Sequence, residues 1–177
     1  PRSGMPAYDP CWARHECDTF WQGEEYVLRI DSHMRFTPGW DDRCIATLAR
    51  CPSSRPVLTT YPHSYCLPNR LSKDSRPKLL RTRRFDEFDI LRVRSAVLSG
   101  RYMQPIRSAF WSGCFNCSKS DILDLVAYDP YCVNLFFGEE ISMAVRLWTH
   151  GCDLFAPHNR VVYHLWSRRH RPLFWED

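Results

Sequence analysis

The sequence has no run of about 18 apolar residues, so no segment is expected to cross a membrane as a helix. It has no internal repeat and no low-complexity tract, which sets aside solenoid arrays and disordered tails. It also lacks a strong charge bias: 24 Lys and Arg stand against 20 Asp and Glu, a net +4. The basic residues fall in short groups, Lys78 to Arg84 and Arg168 to Arg171. That weak bias suits an anionic small ligand as well as a nucleic acid. Aromatic residues interleaved with a basic face are missing, so nucleic acid is not an expected partner. Cysteine is plentiful at nine, but only Cys114 and Cys117 form a C-x-x-C. With no second such pair to complete a tetrahedral zinc site, packing thiols or scattered disulfides are expected. No signal-peptide pattern opens the chain, which starts at Pro1 and enters its patterning midstream, so a truncated amino end is the expectation.

What remains is a 177-residue chain, 44% hydrophobic and 14% aromatic, enough for one domain with a real core. A short helix is expected near Trp12 to Trp21. A strand is expected at Tyr26 to Ile30, where Tyr26, Leu28 and Ile30 alternate, and a second at Val57 to Tyr61, ended by Pro62. The polar stretch 63–84, rich in Pro, Ser and Arg, reads as a long mobile loop. Residues 86–104 carry no firm assignment. The clearest helix spans Gly138 to His150, with Ile141, Ala144, Val145 and Trp148 at helical spacing as its buried stripe. Glu139 and Glu140 occupy its first turn and Gly151 follows as a stop. An alternating strand, Val161 to Trp166, comes last. This order of elements points to an α/β domain.

Three segments carry chemistry. In residues 23–42, GEEYVLRIDSHMRFTPGWDD, a hydrophobic strand runs into Asp31-Ser32-His33. Residues two apart in an extended chain point the same way, so the Asp31 carboxylate and the His33 imidazole can converge on one ion. Such a mixed oxygen and nitrogen donor set suits Mn²⁺, or Zn²⁺ or another divalent cation. The same residues equally suit a turn cap and a satisfied polar group at a strand end. In residues 129–153, DPYCVNLFFGEEISMAVRLWTHGCD, the two acids after Gly138 suit sugar hydroxyls or an acceptor, and equally suit a helix start that favours negative charge. In residues 161–168, VVYHLWSR, His164 sits among aromatic neighbours, either as a hydrogen-bonded structural residue or as the third ligand that an Asp31/His33 pair lacks.

The stretches IDSHMRFTPGWDD, LTTYP, SGCFNCS, YDPYCVNLFFGEEISMAVRLWTHGCDLFAP and VVYHLWSRRHRPLFWED, in this order, resemble the UDP-N-acetylglucosamine-dependent polypeptide α-N-acetylglucosaminyltransferases. The mucin-type N-acetylgalactosaminyltransferases share the outline more distantly. The resemblance spans most of residues 12–177. It implies a GT-A-type α/β fold with a mostly parallel central sheet. It implies Mn²⁺ or a similar divalent metal on Asp31, His33 and His164, with UDP-GlcNAc as donor and a polypeptide hydroxyl as acceptor. It places Arg14 near the donor diphosphate, Gly113 against the sugar, and Glu139 and Glu140 along the sugar and acceptor site. It implies retention of configuration, and a location in either the Golgi lumen or the cytoplasm. A donor sugar such as N-acetylgalactosamine, or a non-catalytic carbohydrate-binding or protein-binding role, stands as the alternative. The uridine-gripping strands of that family have no counterpart before Pro10, so the whole chain reads as a partial catalytic domain, its metal and acceptor side, lacking N-terminal strands.

Overall fold

A computed structural model of the protein describes residues 10–132 and 135–167. In chain order the elements are α1 (Pro10–Asp18), β1 (Tyr26–Ile30), β2 (Met34–Phe36), α2 (Trp40–Leu48), β3 (Pro56–Thr59), β4 (His63–Cys66), β5 (Arg70–Leu71), β6 (Lys78–Phe85), β7 (Leu91–Val97), β8 (Ile106–Ser108), β9 (Phe115–Lys119), α3 (Ile122–Leu125), α4 (Glu139–Thr149), β10 (Asp153–Ala156) and β11 (Val162–His164). Helices and strands mix along the chain, as an α/β protein requires.

The central sheet has the order β1-β9-β3-β10-β8. Its strands are short apolar runs because both faces are covered. On β3, Val57 packs into one cluster with Trp111, Ile122, Met143 and Leu147, while its neighbour Leu58 packs into the other with Cys44, Leu48, Phe115 and Phe155. Successive strand residues point to opposite faces, so two adjacent buried residues mean two buried faces. One layer is α3 and α4; the other is α2 with the second sheet, β2-β11-β4-β5.

The sheet corrects one expectation. It is not mostly parallel: β3 pairs with β10 in parallel, whereas β1 with β9, β9 with β3, and β10 with β8 are antiparallel. Strand direction is set by long-range pairing, which no local pattern encodes. The 63–84 stretch is likewise not a bare loop, since β4, β5 and most of β6 lie in it. β6 pairs with β7 in a two-stranded ribbon, and Arg81 to Phe85 on β6 are exposed, so no buried face forces an apolar alternation on that half of β6.

Helix α4 forms where expected but is rotated. Its buried residues are Glu139, Met143, Ala144 and Leu147, while Val145 is 54% and Trp148 72% exposed. The spacing i, i+4, i+8 is kept, but on a face headed by a carboxylate. Gly138 begins the helix at φ 108, and a Cβ there would lie 3.3 Å from Leu135 Cδ1, so the entry turn needs glycine. Six cysteines, Cys11, Cys44, Cys51, Cys114, Cys117 and Cys152, are buried and act as packing residues here. No helix among the described residues is long and apolar enough to cross a membrane.

Candidate active site

The ends of β1, β3 and β11 and the start of α4 frame a cleft of about 550 Å³. Asp31 follows β1 directly, and His33 precedes β2. β2 and β11 pair so that His164 lies opposite Met34, and Leu165 N–H donates to the His33 carbonyl at 3.2 Å. This ladder carries His164 across 131 residues of sequence to His33, with ring centroids 4.4 Å apart. The Asp31 Oδ2 atom lies 3.0 Å from His164 Nε2 and 3.9 Å from His33 Nε2. One ligand atom from each of the three lies within 4.8 Å of the others. Donors about 2.2 Å from an octahedral ion stand about 3.1 Å apart when adjacent, so these residues can close on a divalent cation with small side-chain movement. His164 Nδ1 is buried with no hydrogen-bond partner among the described residues, so Asp31 is the ring's hydrogen-bond partner, through Nε2. Burial alone would raise the Asp31 pKa, but the His164 hydrogen bond, with the charges of His164, Arg14 and His33, outweighs it and leaves the group lowered. A carboxylate held ionised among imidazoles is a suitable cation ligand.

Arg14 projects from α1 into the same cleft. Its Nη1 donates to Glu139 Oε1, and its Nη2 donates to the Gly113 carbonyl at 2.9 Å and lies 3.8 Å from Asp31 Oδ1. Tyr128 Oη also donates to Glu139 Oε1, at 3.1 Å. Glu139 is therefore a buried anchor for the guanidinium, which explains the rotation of α4. Glu140, one residue on, turns elsewhere: Gly113 N–H donates to its Oε1 at 3.1 Å, and Tyr61 Oη donates to its Oε2. Burial raises the Glu140 pKa against the lowering effect of those hydrogen bonds and of Arg14. The Tyr61 ring meets Trp166 edge-on at 5.6 Å, and Trp166 lies 4.0 Å from the His164 ring.

All seven residues singled out in the sequence thus line or border one cleft. Gly113 lies against Arg14. A Cβ on it would stand 2.5 and 2.8 Å from the Arg14 guanidinium nitrogens, so its small size makes room for Arg14. Tyr61, Tyr128 and Trp166 were missed as individual residues. Tyr61 lies in the LTTYP stretch, but an aromatic residue just past the end of β3 carries no local mark of a carboxylate partner 79 residues away.

A family model described as glycosyltransferase (GlcNAc) matches residues 5–177. The chain is 28% identical over 166 residues to "Putative polypeptide N-acetylgalactosaminyltransferase 13" of Drosophila melanogaster, covering 90% of this chain and 28% of that protein. It also superposes on the crystal structure of GalNAc-T7 with UDP, GalNAc and Mn²⁺, with a TM-score of 0.65 at 15% identity, over 90% of this chain and 31% of that one. The second likeness shows the fold. The chain spans less than a third of either relative.

Proposed function

The chain belongs to the glycosyltransferase (GlcNAc) family, and from that premise we propose that its cleft serves a retaining, metal-dependent transfer of N-acetylglucosamine from UDP-GlcNAc to a polypeptide hydroxyl. The observation that carries this reading is the meeting of Asp31, His33 and His164 within 4.8 Å at one side of the cleft. Asp31, His33 and His164 would hold the cation, Mn²⁺ first, which when bound neutralises the two phosphates and stabilises the leaving diphosphate.

The chain's own residues do the rest. Arg14, fixed by Glu139 and the Gly113 carbonyl, points cationic donors toward the place of the diphosphate. Glu140, held by Tyr61 and the Gly113 N–H, presents a carboxyl group to a sugar hydroxyl or to the acceptor. In transfer with retention, the bond between the anomeric carbon and the β-phosphate oxygen breaks. The acceptor oxygen bonds on the same face, and its proton passes to the departing phosphate. N-acetylgalactosamine as donor is the second reading, favoured by the name of the fly relative and by the GalNAc in the GalNAc-T7 structure.

Titration of the protein with Mn²⁺ in the presence of UDP, by calorimetry and electron paramagnetic resonance, tests the proposal. Saturable Mn²⁺ binding that is lost in His33→Ala and Asp31→Asn is expected. Binding that both variants leave intact would move the metal elsewhere and end the reading. Hydrolysis of UDP-GlcNAc and UDP-GalNAc side by side separates the two donors.

A further inference from the structure

The β6–β7 ribbon places Arg81 directly opposite Arg94 and Arg84 directly opposite Arg92, with a register irregularity between Thr82 and Arg84. Partners in an antiparallel pair share a face, and so do residues two apart on a strand, so Arg92 and Arg94 bring all four guanidinium groups to one side. Arg83, at the irregularity, is exposed as well. Like charges set directly opposite each other weaken a ribbon, so this arrangement works against the ribbon's own stability. Arg92 is engaged: it pairs with Asp86 at 3.2 Å and lies over the Phe137 ring, 3.4 Å from its centroid. Arg81, Arg83, Arg84 and Arg94 are exposed and have no carboxylate partner among the described residues.

The ribbon is also continuous with the cleft. Leu91, Arg92 and Val93 line it, and Phe137, under Arg92, immediately precedes Gly138 and the two glutamates. A chain entering the cleft with its hydroxyl residue would continue along the arginine side. We infer that this face docks an acidic stretch of the acceptor polypeptide, next to the residue to be glycosylated; the inference rests on the transferase reading above. An anionic membrane fits less well. Exposed Phe85 and Phe88 stand at the ribbon's tip, but Asp86, Glu87 and Asp89 share that tip and would oppose approach to anionic headgroups. The Arg81/Arg94 pair stands nearer the base.

The test uses fluorescently labelled Thr/Pro peptides of one length, flanked by Asp and Glu, by Gly and Ser, or by Lys. Anisotropy is followed with the protein, UDP and Mn²⁺. The acidic peptide should bind at least about tenfold tighter than the neutral one, and the preference should fall as salt rises. Arg81→Glu/Arg94→Glu should abolish or invert it, and Arg81→Gln/Arg94→Gln, which leaves no new charge, should reduce it. Equal binding of the three peptides, or an acidic preference that survives both double variants, overturns the inference. Binding to phosphatidylserine vesicles that the variants abolish, without any peptide preference, also overturns it and assigns the face to a membrane. A parallel Mn²⁺ titration separates the failures. Normal titration without charge preference removes the docking face alone, whereas absent titration removes the transferase reading itself.

Discussion

Replacing Glu139 by Gln removes the buried anion that holds Arg14, and the structure sets the size of the effect. The Glu139 side chain is 7% and the Arg14 side chain 19% exposed, so the pair is largely withdrawn from water. Removing one partner of a fully buried pair costs about 3–5 kcal/mol, because the other charge is left uncompensated. Here Arg14 keeps partial access to solvent, the Gly113 carbonyl at 2.9 Å and Asp31 at 3.8 Å, which brings the cost down to about 2 kcal/mol. Loss of negative charge at the start of α4 adds up to about 1 kcal/mol. A helix-start role alone would give only that last part. Urea unfolding of the wild type, Arg14→Met, Glu139→Gln and the double variant forms a complete cycle. The expected coupling is about 2 kcal/mol, with the double variant more stable than the sum of the single losses. Additivity within about 0.5 kcal/mol would show that Glu139 merely starts the helix and that its bond to Arg14 carries no energy.

Tyr61→Phe removes the hydroxyl that holds Glu140; stability should drop by about 1–2 kcal/mol while turnover falls at least tenfold, and unchanged turnover would show that Glu140 needs no such hold. Gly113→Ala should push the Arg14 guanidinium off its seat, weakening UDP binding about tenfold and, by disturbing the Glu139 pair, lowering stability by up to about 2 kcal/mol; calorimetry with UDP decides, and unaltered affinity would mean that Arg14 does not serve the diphosphate. His63 is buried beside Lys78, and burial followed by that charge lowers its pKa from 6.5 to about 4. The unfolded chain therefore takes up this proton near pH 6.5 and the folded one only near 4, so stability should decline as pH falls through that window. His63→Gln should flatten the decline, and a slope unchanged by the substitution would assign it to other groups such as His158, which burial also lowers.

What was legible in the sequence was local. β1 spans Tyr26–Ile30 because its alternation is unbroken, and α4 lies between Gly138 and Gly151 because both glycines adopt positive φ where the helix begins and ends. The nearness of Asp31 to His33 is equally local. The rotation of α4 was not legible, since burying Glu139 depends on Arg14, 125 residues earlier. Sorting by hydrophobicity alone selects Val145 and Trp148 for the core. The strand β6 escaped notice for a related reason: its exposed outer half has no buried side to impose a period of two, and arginines in place of alternating valines read as loop. His164 stands beside Asp31 through strand pairing, and in the sequence the two were connected by the want of a third ligand and by the family resemblance, not by a local pattern.

The two adjacent glutamates show how one helix turn can serve two tasks. Successive helical residues point about 100° apart. Glu139 therefore reaches Arg14 while Glu140 reaches Tyr61, and the two directions meet again at Gly113. The Gly113 carbonyl accepts from Arg14 and its N–H donates to Glu140, so one peptide segment fixes a cation and a carboxyl group relative to each other. A side chain at 113 would separate them, and a helix begun one residue later would set Glu140 in the place of Glu139 and Ile141 in the place of Glu140. The positive φ of Gly138 sets where the helix begins, and with it which acid anchors the arginine and which one is presented to the cleft.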